Sequence, residues 1–211
     1  MQLTIIRHGQ SEWNKLNLFT GFKDVELTEE GTIEAKKCIT TEEFDLAYTS
    51  NLKRAFSTCE IIKEQTNQKF PIIKNEALNE RDYGDLTGNN KEAIAKIHGE
   101  EQVQLWRRSV DVRPPNGENL IDVIERVERF FNNTIKTQIE SNKRILIVAH
   151  GNSIRALLVI LGIFKLEEIC NFEIPTGKPI YLDYFNKEYK FINGYKFNGR
   201  QILDSRGNPT I

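Results

Sequence analysis

The chain is short of the features that mark several large protein classes. Its three cysteines, Cys38, Cys59 and Cys170, are odd in number and far apart, without the paired spacing of zinc sites or disulfide scaffolds. They read as reduced thiols serving as small hydrophobic residues. No apolar run approaches the roughly 20 residues of a membrane span, and the N-terminus enters a strand pattern at once, without a basic region or cleavage site. A soluble cytoplasmic protein with no membrane partner is expected. Excess charge is also lacking: a formal net charge of -1 and a pI near 6.4 give no basic field for nucleic acid. Neither a glycine-rich nucleotide fingerprint nor a phosphate loop ending in Gly-Lys-Ser/Thr occurs, so common nucleotide chemistry is unsupported.

Histidine is scarce as well, and two of the three stand in matching settings. Leu3-Thr4-Ile5-Ile6 runs into Arg7-His8-Gly9, and residues 145–148 run into Ala149-His150-Gly151. Both units are a buried-strand pattern followed by histidine, glycine and polar residues. Laid side by side as parallel strands, they bring both histidines to the carboxyl edge of a sheet, where open α/β folds bind ligands.

A chain of 211 residues is long enough for one large domain with a substantial core. Residues 10–22 read as a pocket-lining loop, and Thr28 as the cap of a helix ending near Thr40-Thr41. Residues 44–50 read as a strand, 52–65 as a helix and 71–74 as a short strand. Residues 79–117 read as a long irregular stretch, suited to a cap over a site because Tyr83 and Trp106 argue against disorder. A helix over 118–139, the strand 145–149, a helix over 153–161 and strands over 180–184 and 189–191 complete the pattern, with turns at Asn186-Lys187 and Asn193-Gly194. This alternation predicts an α/β fold, a largely parallel central sheet flanked by helices with the cap region inserted over its carboxyl edge.

A neutral imidazole at a strand end is a good nucleophile near pH 7 once its other nitrogen is tied by a hydrogen bond. Gly9 would let the backbone approach a ligand, and Arg7 offers a planar fork for phosphate oxygens. His8 as a phosphorylated nucleophile is therefore coherent, with His150 and Arg54 as further donors to the same group. The bland alternatives are strand-terminating hydrogen bonds for Arg7 and His8 and a solvent-facing helix charge for Arg54. His98 reads as a helix-terminal residue and Glu118 as a helix-start residue.

Arg7-His8-Gly9-Gln10-Ser11-Glu12-Trp13-Asn14, Phe19-Thr20-Gly21, Asn79-Glu80-Arg81-Asp82-Tyr83-Gly84, Trp106-Arg107-Arg108, Ala149-His150-Gly151-Asn152-Ser153 and Pro175-Thr176-Gly177 resemble the histidine phosphatase superfamily, and within it the bisphosphoglycerate-dependent phosphoglycerate mutases. The resemblance implies interconversion of 3-phosphoglycerate and 2-phosphoglycerate through phosphorylated His8, with 2,3-bisphosphoglycerate as primer and no metal. It makes Glu80 the acid/base and gives Arg7, Arg54 and His150 the transferring phosphoryl group. Gly9, Gln10, Ser11, Glu12, Trp13, Asn14, Gly151 and Asn152 would supply further substrate contacts. Thr20, Gly21, Arg81, Tyr83, Lys91, Arg107 and Arg108 would hold the carboxylate and second phosphate, and Asp82 would be a further substrate contact. The partners implied are small phosphorylated three-carbon acids, and a homo-oligomer is left open.

The chain departs from the family pattern in three places: a shorter helix after Gly31, Phe22 where the mutases often have tryptophan, and residues 199–211, which resemble the opening of enolases. Residues 1–198 are expected to form the single mutase-like domain, with that tail appended. Two other functions compete: a phosphomonoesterase using the same histidine, and an inactive anion-binding protein.

Overall fold

The computed structural model describes residues 2–38, 42–185 and 188–192. Strands β1 (Leu3–Arg7), β2 (Leu46–Thr49), β3 (Ile72–Lys74), β4 (Ile145–Ala149), β5 (Pro179–Phe185) and β6 (Glu188–Phe191) form one sheet in the order β3-β2-β4-β1-β5-β6. The pairs β1/β4, β2/β4 and β2/β3 are parallel; β5 runs antiparallel to β1, and β6 to β5. The expected largely parallel sheet is thus present. The tail, both expected turns near the C-terminus and the Thr40-Thr41 helix end lie outside the described residues.

Period-two alternation divides the central strands between two cores. Leu3, Ile5, Ile145, Ile147 and Ala149 face one apolar cluster, while Ile6, Leu146 and Val148 face the other. All are buried, and each leucine, isoleucine and valine among them is worth about 1.5–3 kcal/mol. The first cluster is covered by α6 (Leu120–Phe130) and α8 (Gly151–Ile160), which pack on each other. The second is covered by α3 (Lys53–Gln65), beside α2 (Glu29–Lys37). Thr28 caps α2 as expected, its hydroxyl accepting from the Gly31 N–H at 3.0 Å.

The helix expected over 118–139 is interrupted. It starts after Asn119, whose side chain accepts from the Asp122 N–H at 3.0 Å while Asp122 accepts from the Asn119 N–H at 2.8 Å. Its buried residues Val123, Val127, Phe131, Ile135 and Ile139 recur every four positions. In an α-helix that spacing drifts about 40° per step, and the wider π-helical turn Phe131–Ile135 takes up the drift before α7 (Lys136–Glu140).

Residues 79–117 are more ordered than the irregular cap expected from the sequence. They contain the 3-10 turn Gly84–Leu86 and two helices, α4 (Lys91–His98) and α5 (Glu100–Arg108), joined at Gly99. Phe19, Leu86, Ile94, Val103 and Trp106 give this region its own small core. His98 does end a helix, with its ring 5.2 Å from that of Trp106. Two short helices were not foreseen, α1 (Glu12–Lys15) and α9 (Leu166–Ile169). Among the described residues no helix is long and apolar enough to cross a membrane. Cys38, Cys59 and Cys170 are free and buried, and burial pushes the first two thiols up to about 12.

Candidate active site

Strand register builds the floor of the site. Arg7 stands opposite Ala149, and the next amide, that of His8, donates to the Ala149 carbonyl at 3.0 Å. His8 and His150 therefore leave neighbouring strands at the same level, with ring centroids 4.9 Å apart and planes inclined at 58°. Both are buried.

His8 Nδ1 lies 2.7 Å from the Gly9 carbonyl, which can only accept, so Nδ1 carries the proton and Nε2 keeps its lone pair. Burial, then Arg54 and Arg7, hold the His8 pKa well below 6.5, although the Gly9 bond pulls the other way. The imidazole is neutral and nucleophilic at pH 7. His150 Nε2 lies 2.7 Å from the Ser50 hydroxyl, and burial, Arg54 and His8 keep this ring neutral too. Its backbone begins α8, so the amides of that helix's first turn face the site.

A cleft of about 190 Å³ opens over His8, lined by Arg7, His8, Asn14, Thr20, Gly21, Arg54, Glu80, Tyr83, Lys91, Arg107, Arg108, Gly151 and Asn152 among the expected residues, while His150 lies buried beside His8 and outside the lining. Arg54 is no solvent-facing charge: it is 1% exposed and donates to the Gly21 and Lys23 carbonyls at 3.0 and 2.9 Å. Burial is the main cause lowering its pKa to about 10. Arg7 donates to the Ile174 carbonyl at 2.8 Å and leaves its buried Nε without a partner, a donor that a ligand oxygen can use. Also in the lining, Lys91 and Arg107 have pKa values lowered by burial and then by neighbouring arginines. Cations crowded at this cost could complement a polyanion.

Glu80 faces the floor. One carboxylate oxygen accepts from the Arg81 and Asn152 amides at 2.9 and 3.0 Å. Burial raises its pKa, but those amides with Arg7 and Arg54 outweigh burial and hold it below the usual value. Without an anion bound the carboxylate is favoured. Phosphate charge near Arg7 and Arg54 would offset their pull and favour the protonated form.

Several expected contacts lie elsewhere. A Cβ on Gly9 would stand 2.2 Å from the Gly31 carbonyl oxygen, so this glycine serves close packing against α2 and not ligand approach. The Gln10 amide donates to Glu34, Ser11 caps α1, Glu12 is exposed, and Trp13 packs toward Gly88. Asp82 accepts from the Gly84 N–H. Arg81 is fully buried behind the cleft, donating to the Tyr83 hydroxyl and the Arg107 carbonyl, both at 3.1 Å.

Sequence reasoning missed Leu18, Arg155 and Glu173 in the lining. Arg155 is buried and donates to the Phe172 carbonyl through Nε and a terminal nitrogen at 3.2 and 2.9 Å. An arginine inside the apolar run Ile154–Leu158 was the available signal. Glu173 pairs with Arg108 at the rim. Glu118 is not a mere helix-start residue: it pairs with Arg126 and accepts from the Asp82 N–H. Among the described residues no group of three or more histidine, cysteine or acidic side chains could hold a metal ion.

The chain belongs to the histidine phosphatase superfamily, branch 1, whose family model matches residues 3–193. An alpha-ribazole phosphatase of Shigella flexneri shares the fold, with a TM-score of 0.77 and 26% identity over 91% of this chain and 95% of that one. Within the superfamily the sequence is similar to phosphoglycerate mutases. That of Schizosaccharomyces pombe is 47% identical over 197 residues, 90% of this chain and 93% of the relative. A 2,3-bisphosphoglycerate-dependent phosphoglycerate mutase of Bartonella quintana is 51% identical over 187 residues, 84% of this chain and 89% of the relative.

Proposed function

We propose that this chain is a phosphoglycerate mutase that interconverts 3-phosphoglycerate and 2-phosphoglycerate by way of phosphorylated His8. The observation that carries the reading is a neutral, buried His8 with the Nε2 lone pair left free, in a cleft that Lys91, Arg107 and Arg108 also line. The histidine suits a transferring phosphoryl group and the additional cations a second anion. The crowded cations and the free Arg7 Nε fit 2,3-bisphosphoglycerate, which when bound supplies the phosphoryl group that charges His8. Arg7, Arg54 and His150 hold that group while Lys91, Arg107 and Arg108 orient the rest of the ligand.

The residues divide the work as follows. The lone pair of His8 Nε2 attacks phosphorus, the bond from phosphorus to the leaving oxygen breaks, and Glu80 gives that oxygen its proton. In the return step Glu80 takes the proton of the attacking hydroxyl, and the bond from Nε2 to phosphorus breaks. Residues 79–117 restrict water, which would otherwise accept the phosphoryl group. Residues 1–198 act as one unit on small phosphorylated acids, and the buried, unpaired cysteines suit the cytoplasm.

Supplying 3-phosphoglycerate with catalytic 2,3-bisphosphoglycerate, and following 2-phosphoglycerate and free phosphate together, tests the reading. Mutase activity yields 2-phosphoglycerate in large excess; mainly free phosphate would make the chain a phosphomonoesterase. Glu80→Gln should slow transfer by about 10²- to 10⁴-fold while changing binding little.

A further inference from the structure

The segment that carries Glu80 has no ladder of its own. Between the 3-10 turns Glu76–Leu78 and Gly84–Leu86 its backbone is irregular, yet it must hold a buried carboxylate steady beside two arginines. Arg126 of α6 supplies the missing partners. One terminal nitrogen donates to the carbonyls of Ala77 and Asn79 at 2.7 and 3.1 Å, and the other donates to the carbonyl of Glu80 itself at 3.0 Å. Its Nε and second terminal nitrogen also grip both carboxylate oxygens of Glu118, at 2.9 and 3.0 Å. Glu118 closes the clamp from the other side: its carboxylate accepts from the Asp82 N–H and its own N–H donates to the Asp82 carbonyl, both at 2.9 Å. Glu80 is thus fastened on its N-terminal side by Arg126 and on its C-terminal side by Glu118.

The clamp works against a strong pull. The second Glu80 oxygen stands 3.6 Å from the point where a Cβ on Gly151 would sit, and the Arg7 guanidinium carbon stands 3.9 Å from the same point. Arg7 and Arg54 both attract the carboxylate, and in a buried site that attraction is weakly screened. Even so, among the described residues no ion pair joins Glu80 to either arginine. A side chain free to obey the pull would close on them and fill the place a phosphoryl group needs.

We propose that the Glu118–Arg126 pair is a positioning device for proton transfer, fixing the backbone of residues 77–82 so that Glu80 stands beside the phosphoryl seat instead of collapsing onto Arg7 and Arg54. Neither residue lines the cleft, so both act through Glu80. The inference rests on the acid/base reading of Glu80 given above.

The test compares Arg126→Met, Arg126→Lys and Glu118→Gln with Glu80→Gln, measuring kcat, KM, the acid limb of the kcat profile, inorganic phosphate binding and Tm. Arg126→Met should lower kcat on the order of 10- to 100-fold, with a smaller rise in KM. A Glu80 paired to arginine titrates lower, so the acid limb should move to lower pH, and phosphate should bind more weakly because its seat is partly filled. Arg126→Lys should rescue little, since one ammonium cannot span three carbonyls and a carboxylate. Glu118→Gln should show the same changes in milder form, and decides the matter if Arg126→Met does not fold. A folded variant with a lower Tm but a wild-type kcat and an unmoved acid limb overturns the proposal. Glu80→Gln with a wild-type kcat removes the acid/base reading and the inference with it; a slowed Glu80→Gln beside clamp variants whose kcat and phosphate affinity are unchanged overturns the clamp alone.

Discussion

At the floor of the cleft, His8 and His150 are placed by backbone pairing between β1 and β4, in the interior of the sheet. In the wall, residues 79–117, the working side chains are placed by other side chains reaching backbone groups, over the small core of Phe19, Leu86, Ile94, Val103 and Trp106. Strand register is all-or-none, because a slip of one residue turns every side chain to the opposite face. A wall held by separate hydrogen bonds and a few aromatic contacts can loosen by degrees. Substitutions at the floor should therefore abolish phosphoryl transfer, and substitutions in the wall, the acid/base Glu80 and its clamp apart, should alter affinity and the exclusion of water.

The sharpest break of that comparison is His8→Ala. Loss of the nucleophile should reduce transfer on the order of 10⁴-fold or more and remove acid-labile phosphate labelling of the chain. Labelling equal to that of the unsubstituted protein would take His8 out of the mechanism. Next in size is Gly9→Ala, which leaves the chemistry in place but sets a methyl group against the Gly31 carbonyl. Overpacking between two backbones should cost about 3 kcal/mol. Urea unfolding measures it, and an unchanged midpoint would mean that α2 yields freely.

The wall is probed by Trp106→Ala. Trp106 is 7% exposed and adjoins Arg107 and Arg108, so its loss should loosen their placement and admit water. KM should rise by about tenfold, consistent with roughly 1.4 kcal/mol of lost binding. A greater share of turnover should end as free phosphate. If KM and the product ratio both stay fixed, the wall does not depend on its aromatic core.

The same division explains what could be read from the sequence. The floor was legible because its signals are local: two apolar runs, each closing on histidine and glycine, imply parallel neighbours with a shared edge. Glu80 was recognisable only by resemblance, and Arg54, offered as a third donor from its place at a helix start, had an ordinary helix charge as its alternative. Lys53-Arg54 and Glu80-Arg81 read as surface charge, and nothing local says that Arg54 donates to carbonyls more than 30 residues before it in the chain. The helices α4 and α5 were obscured by their exposure, with Ile97 71% exposed and charged residues throughout. Gly9 was misassigned because a glycine's partner, here Gly31, is set by tertiary packing. Arg126 carries no local signal, since its acceptors are carbonyls that any sequence possesses.

Acid should distinguish the two regions through stability. In the unfolded chain His8 and His150 titrate near 6.5, whereas in the fold burial and the arginines delay protonation to well below that value. As pH falls below about 6.5 the unfolded state binds more protons than the native state, so stability declines toward acid and is fully present only above that range. Each histidine can contribute at most about 1.4 kcal/mol per pH unit, and the pair less than twice that where their titrations interact. Between pH 5.0 and 6.5 most carboxylates remain ionised in both states, so this window isolates the floor from Glu80 and Asp45, whose lowered values contribute at more acidic pH. Urea unfolding across the window should show a clear slope in the unsubstituted chain, a shallower one in His150→Gln, and a slope preserved in Trp106→Ala. Inorganic phosphate should raise stability and flatten the slope, because a bound anion offsets Arg7 and Arg54 and makes protonation of the rings less costly. A flat profile in the unsubstituted chain would mean that the histidines titrate in the fold as they do in water, and the neutral nucleophile would have to be abandoned.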